Sequence, residues 1–222
     1  MSGEIAAFFD LDRTLIDVNS AILYAKFERR HGRISNWQLF ITAFYTSLYH
    51  LNILDMERAY TKASMYYRGL PEDEISQRTQ QFFAEQVAHR LQPGARKALD
   101  EHRLQGHRLV LLTSSSSYQS QAAVAAWGMD HWIANRFPTL DGCLDGTFHK
   151  PLCYGPGKVS LAEKWALEHE IDLSRSYFYS DSYSDLPMLQ RVGFPKVVNP
   201  DPKLKSYSRR MNWQILNWTT VG

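Results

Sequence analysis

The sequence predicts an α/β protein built on a doubly wound parallel sheet. Short, continuous apolar runs, typical of strands that are buried on both faces, recur along the chain. Helical segments separate these runs, as connections between parallel strands require. With 44% hydrophobic and 22% charged residues, the 222-residue composition is that of a globular protein and excludes a disordered chain.

The first element is a predicted strand over residues 5–9, Ile-Ala-Ala-Phe-Phe, which ends abruptly at Asp10-Leu11-Asp12-Arg13-Thr14. Residues 20–92 then show a helical pattern, with breaks expected at Gly32, Gly69 and Pro71. A helical stretch of this length between two strands predicts a small inserted domain.

Strand and helix alternate again from residue 93. Further strands are predicted at 107–112, 177–179 and 194–198. Helices are predicted at 95–104, 119–127, 160–170, 185–191 and 202–211. The turn dipeptides Asp141-Gly142 and Asp145-Gly146 predict a small hairpin. We therefore expect a Rossmann-like core, formed by residues 1–16 and 93–222, and a helical cap formed by residues 17–92.

Charge and cysteine content exclude several classes of protein. The formal net charge of +2 is too small to indicate a nucleic-acid partner. Two cysteines, Cys143 and Cys153, exclude a disulfide scaffold and a four-cysteine zinc module, and they are expected to be idle thiols. The first residues lack a signal-peptide pattern, so a cytoplasmic location is expected. Residues 37–54 carry no charge, and they predict an amphipathic helix with peripheral membrane contact as an alternative role.

The polar residues that end the predicted strands indicate a functional site. In an open parallel sheet, ligands bind beyond the carboxyl ends of the strands. Six oxygen-bearing side chains stand there: Asp10 and Asp12, Thr113 and Ser114, Asp181 and Asp185. Close carboxylates cannot all stay ionised without a counter-ion, and their hard oxygen donors favour Mg²⁺ over zinc.

Such a site suits phosphoryl transfer. One carboxylate can attack phosphorus as a nucleophile, and a second, two residues on, can protonate the leaving oxygen and later activate water. A hydroxyl and a lysine can hold the phosphoryl oxygens. Lys158, in Gly157-Lys158-Val159, opens the helix before the third predicted strand and is placed to do this.

The order of these motifs resembles that of the haloacid dehalogenase superfamily. Asp10-x-Asp12-x-Thr14 comes first, followed by Thr113, Lys158 and Ser180-Asp181-Ser182-x-x-Asp185. Within the superfamily, the sequence around each motif resembles the phosphoserine-phosphatase-like subfamily IB, as does the tail Asn199-Pro200-Asp201-Pro202-Lys203-Leu204. The resemblance covers essentially the whole chain.

The resemblance implies a role for each matching residue. Asp10 matches the nucleophile, and Asp12 matches the general acid and base. Thr113 and Lys158 match the phosphate-binding hydroxyl and lysine, and Ser114 is expected to offer its backbone N–H to the phosphate. For Mg²⁺, the resemblance implies the Asp10 and Asp181 carboxylates and the backbone carbonyl of Asp12 as ligands. Asp185 fits a position outside the direct Mg²⁺ ligands or one that contacts the ion through water. Residues 17–92 match a mobile helical cap of the C1 type.

This sequence differs from the phosphoserine-phosphatase pattern at two places. Those enzymes typically carry a glutamate nine residues after the nucleophile, where this chain has Asn19. Their Ser-Gly-Gly after the second strand is replaced by Thr113-Ser114-Ser115. These departures favour a substrate other than phosphoserine.

Three functions therefore stay open. The first is a Mg²⁺-dependent phosphatase of a small soluble phosphate ester, such as histidinol phosphate or another amino-alcohol phosphate. The second is a phosphatase of a phospholipid precursor, such as phosphatidylglycerophosphate, which residues 37–54 favour. The third is a non-catalytic binding or regulatory module on the same fold. No nucleic-acid partner is expected.

Overall fold

The computed structural model describes residues 3–36 and 56–218. In this part of the chain, six strands form one sheet in the order β3-β2-β1-β6-β7-β8, and every neighbouring pair is parallel. These strands are β1 (Ala6–Phe9), β2 (Arg108–Ser116), β3 (His131–Asn135), β6 (Tyr177–Ser180), β7 (Phe194–Val198) and β8 (Gln214–Leu216). The remaining strands, β4 (Thr139–Leu140) and β5 (Cys143–Leu144), form the predicted hairpin.

Helices connect the strands. The described α-helices are α1 (Ser20–Arg30), α2 (Met56–Tyr66), α3 (Glu72–Phe82), α4 (Pro93–Leu104), α5 (Ser117–Trp127), α6 (Pro156–Glu168), α7 (Leu186–Arg191) and α8 (Pro202–Arg210). A π-helical turn (Phe83–Val87) and a 3₁₀ turn (Ala88–Arg90) join α3 to α4. Short 3₁₀ turns also occur at Leu173–Arg175 and Tyr183–Asp185.

Strand β1 lies in the middle of the sheet and is buried on both faces, as its apolar sequence predicts. Phe9 packs into the core that contains residues of α4 and α5, and Phe8 packs into the core on the opposite face with residues of α6, α7 and α8. The sheet is therefore doubly wound. Along the chain, β2 and β3 are added on one side of β1, and β6, β7 and β8 are added later on the other side. The strand order therefore reverses between β1 and β6. That reversal creates a crevice at the carboxyl ends of these two strands.

The region predicted as a cap packs against the same core. Phe27 of α1 and Phe82 at the end of α3 belong to the apolar cluster that also contains Leu15 and Leu109. The loop between α2 and α3 is tied to the β4–β5 hairpin by main-chain hydrogen bonds. The Gly69 amide donates to the Leu144 carbonyl at 2.8 Å, and the Leu144 amide donates to the Leu70 carbonyl at 2.9 Å.

Two strands of the sheet were absent from the sequence prediction. His131–Asn135 contains a histidine, a tryptophan and an asparagine, so it lacks a continuous apolar run, and Gln214–Leu216 is a three-residue edge strand. Strand β2 also extends to Ser116, four residues beyond its predicted end. These elements depend on pairing with a neighbour already in the sheet rather than on their own pattern.

Three further features concern the cysteines, the start of α5 and the uncharged segment. The two cysteines are free thiols. Ser116 caps α5, since its hydroxyl accepts a hydrogen bond from the Gln119 amide at 3.3 Å. The uncharged segment 37–54 lies outside the described residues. Within the described ranges no helix combines the length and the apolar character that crossing a membrane requires.

A buried histidine beneath the sheet predicts acid sensitivity. His102 on α4 places Nε2 3.0 Å from the Tyr179 hydroxyl and Nδ1 2.8 Å from Nδ1 of His107. Burial, with the neighbouring His107 and Lys196, lowers the pKa of His102 to about 4. The folded protein then binds fewer protons than the unfolded chain between the unfolded pKa of about 6.5 and pH 4. Stability present above pH 6.5 is therefore lost as the pH falls.

We expect the protonation of His102 on unfolding to lower the free energy of unfolding by about 2 kcal/mol when the pH falls from 7.5 to 5. Urea titrations at the two pH values would measure it, with His102→Gln as the comparison, because glutamine does not titrate. An equal pH dependence in the wild type and the variant would contradict the assignment.

Candidate active site

The turn after β1 places two carboxylates at the crevice. Asp10 directly follows β1, and its amide donates to the Tyr179 carbonyl of β6 at 2.9 Å. The Asp10 carbonyl accepts from the Leu15 amide at 3.3 Å, so the chain turns back tightly. Arg13 within this turn has a left-handed backbone (φ 57°). Asp10 and Asp12 therefore both stand at the carboxyl end of the central strand, as predicted.

Helix α1, the first helix of the predicted cap, fixes the position of the Asp12 side chain. Its Oδ1 accepts a hydrogen bond from the Ser20 amide at 2.9 Å, at the N-terminus of α1. Asn19 caps that helix, because its Oδ1 accepts from the Ile22 amide at 3.1 Å. Burial raises the pKa of the Asp12 carboxyl above its usual range, although the hydrogen bonds from Ser20 oppose the shift.

Lys158 reaches into the site from the first turn of α6. Its Nζ lies 2.7 Å from Oδ1 of Asp10 and 2.8 Å from Oδ2 of Asp185, and the residue is only 1% exposed. The preceding Gly157 is required for this approach, since a Cβ there would lie 1.9 Å from the Leu152 carbonyl oxygen. The ammonium group thus joins two buried carboxylates across the crevice.

Asp185 is the second carboxylate that forms an ion pair with Lys158. Its Oδ2 also accepts a hydrogen bond from the Ser180 hydroxyl at 2.7 Å. Its Oδ1 is buried and has no hydrogen-bond partner within the described residues. The sequence predicted an outer position for Asp185, and the structure places it in direct contact with the predicted phosphate-binding lysine.

Asp181 follows β6 and faces the same crevice. It is 5% exposed, and its main-chain carbonyl accepts from the Asp201 amide at 2.9 Å. Burial, together with the nearby Asp10 and Asp185, raises the pKa of Asp181 well above its usual range. Burial likewise raises the pKa of Asp10 to about 7, against the opposing effect of Lys158. The predicted crowding of carboxylates is therefore present.

The donor set fits a hard divalent cation. The crevice contains buried carboxylates with raised pKa values, and Oδ1 of Asp185 is a buried acceptor that receives no hydrogen bond from the described residues. A cation favours the ionised form of such groups, and oxygen donors suit Mg²⁺. Among the residues that the structure describes, no three His, Cys, Asp or Glu residues form a ready ligand cluster. A cation here would therefore take oxygen donors in addition to these side chains.

Thr113 and Ser114 lie near the end of β2, next to β1. Thr113 is 2% exposed, and its Oγ1 accepts from the Ser115 amide at 3.1 Å. The Ser114 hydroxyl donates to the Cys153 carbonyl at 2.8 Å, which turns it toward the loop before α6. If Ser114 binds a phosphoryl group, its backbone N–H is the group to do so.

The comparisons with known proteins agree with this arrangement. A family model described as haloacid dehalogenase-like hydrolase matches residues 7–190. The chain belongs to this family. It is therefore an enzyme, and the family predicted from the motifs is confirmed. The match includes Asp10, Lys158 and Asp185.

Several individual proteins resemble this hydrolase over most of its length. A histidinol-phosphatase of Neisseria meningitidis is 26% identical and covers 96% of this chain and 98% of its own. A phosphoserine phosphatase of Mycobacterium tuberculosis is 29% identical and covers 95% of this chain and 70% of its own. A Bordetella pertussis structure of unknown function is 26% identical, with a TM-score of 0.87, and covers 96% of this chain and 98% of its own.

Sequence reasoning did not identify Tyr60, which joins the predicted cap of this hydrolase to the site. The Tyr60 hydroxyl of α2 donates to the Ser114 carbonyl, which also accepts from Nδ2 of Asn135 at 2.7 Å. The Asn135 side chain in turn accepts from the Cys153 amide at 2.8 Å. An aromatic residue on a helix is ordinarily a core residue, so no sequence pattern marks Tyr60.

We expect Tyr60→Phe to lower kcat/KM several-fold while costing only about 1 kcal/mol of folding stability. The variant removes the hydroxyl that fixes α2 to the strand end, whereas Asn135 still satisfies the Ser114 carbonyl. Tyr66→Phe is the matched control, because the Tyr66 hydroxyl also donates to a main-chain carbonyl, that of Arg33, at 3.1 Å within the cap region. Equal kinetic effects of the two variants would contradict a role for Tyr60 at the site.

Proposed function

We propose that this hydrolase cleaves phosphomonoesters with Mg²⁺ through an aspartyl-phosphate at Asp10. The observation that carries the proposal is the buried ammonium of Lys158, held 2.7 Å from Asp10 and 2.8 Å from Asp185. A cation fixed beside a nucleophilic carboxylate stabilises the negative charge of a transferring phosphoryl group. The proposal also rests on the family to which the chain belongs.

In the first half of the reaction, a carboxylate oxygen of Asp10 attacks phosphorus. The Asp10–phosphorus bond forms as the bond between phosphorus and the ester oxygen breaks. Asp12 donates a proton to the leaving oxygen, and the burial that raises its pKa favours the protonated form this step needs. Lys158, the Thr113 hydroxyl and the Ser114 N–H hold the phosphoryl oxygens.

In the second half, Asp12 accepts a proton from a water molecule that attacks phosphorus. Asp10 leaves as a carboxylate, and inorganic phosphate is released. The Ser20 amide keeps Asp12 at one place through both steps, because it donates to the Asp12 carboxyl at 2.9 Å. The same carboxyl can thus serve first as the acid and then as the base.

Mg²⁺ would be held by the Asp10 and Asp181 carboxylates and the Asp12 main-chain carbonyl. When bound, it supplies positive charge that neutralises phosphoryl oxygens and keeps the carboxylates ionised. Asp185 lies next to this set, since Lys158 joins it to Asp10. These assignments are taken from the roles that the family resemblance implies.

We place the substrate among small, soluble amino-alcohol phosphates, such as histidinol phosphate. The relative from Neisseria meningitidis is named a histidinol-phosphatase. Phosphoserine is a less suitable substrate, because this chain has Asn19 where phosphoserine phosphatases typically have a glutamate that recognises the substrate's amino group. The Asn19 side chain instead caps α1. The proposed cap, residues 17–92, would select the substrate, and we place the enzyme in the cytoplasm. A phospholipid precursor is the alternative substrate class.

A panel of phosphomonoesters tests the proposal. Phosphate release would be measured with Mg²⁺ and with a chelator, for amino-alcohol phosphates, phosphoserine and a lipid precursor. Asp10→Asn should abolish release, while Asp100→Asn is the control, because Asp100 lies on α4 and pairs with Arg103 on the surface. Release that persists in Asp10→Asn would overturn the mechanism. No release from any ester in the panel would contradict the proposed phosphomonoesterase activity.

A further inference from the structure

Helix α8 carries positive charge on its outer side. Leu204 and Ser208, four residues apart, are buried against the sheet, as expected for one face of a helix. The opposite side exposes four cations, which we name the basic face: Lys203, Lys205, Arg209 and Arg210. Helix α8 contains no acidic residue.

The charge of the basic face is not neutralised within the described structure. None of its four cations forms an ion pair among residues 3–36 and 56–218. The last 31 residues of the chain, 192–222, contain five Lys or Arg residues but a single acid, Asp201. Both Asp201 oxygens are engaged, one in capping α8 and the other in accepting from the Tyr183 amide at 2.6 Å.

Aromatic and apolar side chains adjoin the basic face. Lys203 Nζ lies 4.2 Å from the centroid of the Tyr183 ring, and Arg210 lies over the Tyr207 ring at 5.6 Å. Met211, directly after the helix, is 49% exposed, and Ile215 on the edge strand is 37% exposed. Unneutralised cations beside exposed apolar side chains are the features of a surface that binds an anionic lipid bilayer.

We propose that the basic face of α8, with Met211 and Ile215, docks this enzyme on anionic lipid surfaces. The cations would contact lipid phosphates, and the two apolar side chains would enter the headgroup region. Charge complementarity selects an anionic surface, and the apolar side chains favour a lipid bilayer over a nucleic acid, which offers no apolar layer. Docking does not require catalysis, so it stands apart from the proposed function.

Docking would also bring the catalytic site close to the bilayer. Asp201, which caps the N-terminus of α8, donates its amide hydrogen to the main-chain carbonyl of Asp181 in the site at 2.9 Å. The N-terminal end of the basic face therefore adjoins the crevice.

Co-sedimentation of the full chain with vesicles tests the proposal without any substrate. The vesicles contain either phosphatidylcholine alone or phosphatidylcholine with an equal amount of phosphatidylglycerol. We expect binding to the anionic vesicles only, and weaker binding as salt is raised. Lys205→Glu/Arg209→Glu should weaken that binding at least about tenfold. These two side chains contact no ring and no carboxylate among the described residues, so the fold should be retained.

The matched control is Lys97→Glu/Lys164→Glu, which changes the net charge equally. Both lysines are exposed, on α4 and α6, and among the described residues each pairs with one glutamate a helical turn away, at 3.9 and 4.0 Å. Binding within about twofold of the wild type is expected for this control. Three results would overturn the proposal: no binding of the wild type to anionic vesicles, equal binding to neutral vesicles, or an equal loss in the control. Retention of binding in Lys205→Glu/Arg209→Glu would overturn it too, because the contact would then lie elsewhere.

Discussion

Replacing Lys158 with methionine is expected to reduce turnover by about a hundredfold to a thousandfold and to destabilise the fold. The ammonium group is 1% exposed and lies between Asp10 and Asp185. Losing a donor aimed at developing negative charge costs about 10²–10³ in kcat. Removing one partner of a buried ion pair costs about 3–5 kcal/mol, because the other charge stays buried without compensation.

Chemical denaturation and steady-state kinetics would measure the two effects. Lys164→Met on the same helix is the control, since the Lys164 side chain is 74% exposed and this change should alter stability by less than about 0.5 kcal/mol. The double variant Lys158→Met/Asp185→Asn should recover stability without recovering turnover, because it also removes one uncompensated carboxylate. Normal turnover in Lys158→Met would show that the lysine has only a structural role.

Asp12→Asn is expected to slow turnover by about a hundredfold or more and to leave the phosphoryl group on Asp10. An asparagine can still accept the hydrogen bond that the Ser20 amide donates at 2.9 Å, so the side chain should keep its position. It cannot accept the proton of the attacking water, and general base catalysis is worth about 10²–10⁴. For a substrate with a good leaving group, the first step needs little acid assistance, so the second step becomes limiting.

Mass spectrometry of the protein quenched in acid during turnover would detect the added phosphoryl group. The adduct should be absent from Asp10→Asn under the same conditions, and peptide mapping should place it on Asp10. An adduct on another residue, or one that persists in Asp10→Asn, would contradict the assignment of the nucleophile.

Prediction from the sequence succeeded where a local pattern has a direct physical cause. The apolar run before Asp10 predicted a central buried strand, since such a run is typical of a strand covered on both faces. The polar residues after it marked the carboxyl edge of the sheet, and the structure brings Asp10, Asp181, Asp185 and Lys158 together there. The hairpin at Asp141-Gly142 was likewise predicted from its turn residues and is present.

Prediction failed where the signal is not local. Strand β3 contains His131 and Trp132, and it belongs to the sheet because it pairs with β2. The contact of Tyr60 with the Ser114 carbonyl joins residues 54 positions apart, and an aromatic side chain on a helix carries no mark of that partner. The basic face of α8 also depends on which side of the helix the sheet covers, as the burial of Leu204 decides.

By itself, the sequence of this hydrolase determined the α/β class and the family, and it predicted the residues that we propose for phosphoryl transfer. Apolar runs, turn residues and motifs can all be identified along the chain without the folded structure. Only the tertiary structure decided how those residues act on one another. It showed that Lys158 joins Asp10 to Asp185, that α1 holds Asp12 through Ser20, and that α2 reaches the strand end through Tyr60. The physical reason is that hydrogen bonds and ion pairs depend on distances of about 3 Å between atoms that are far apart in the chain, and only the folded backbone sets those distances.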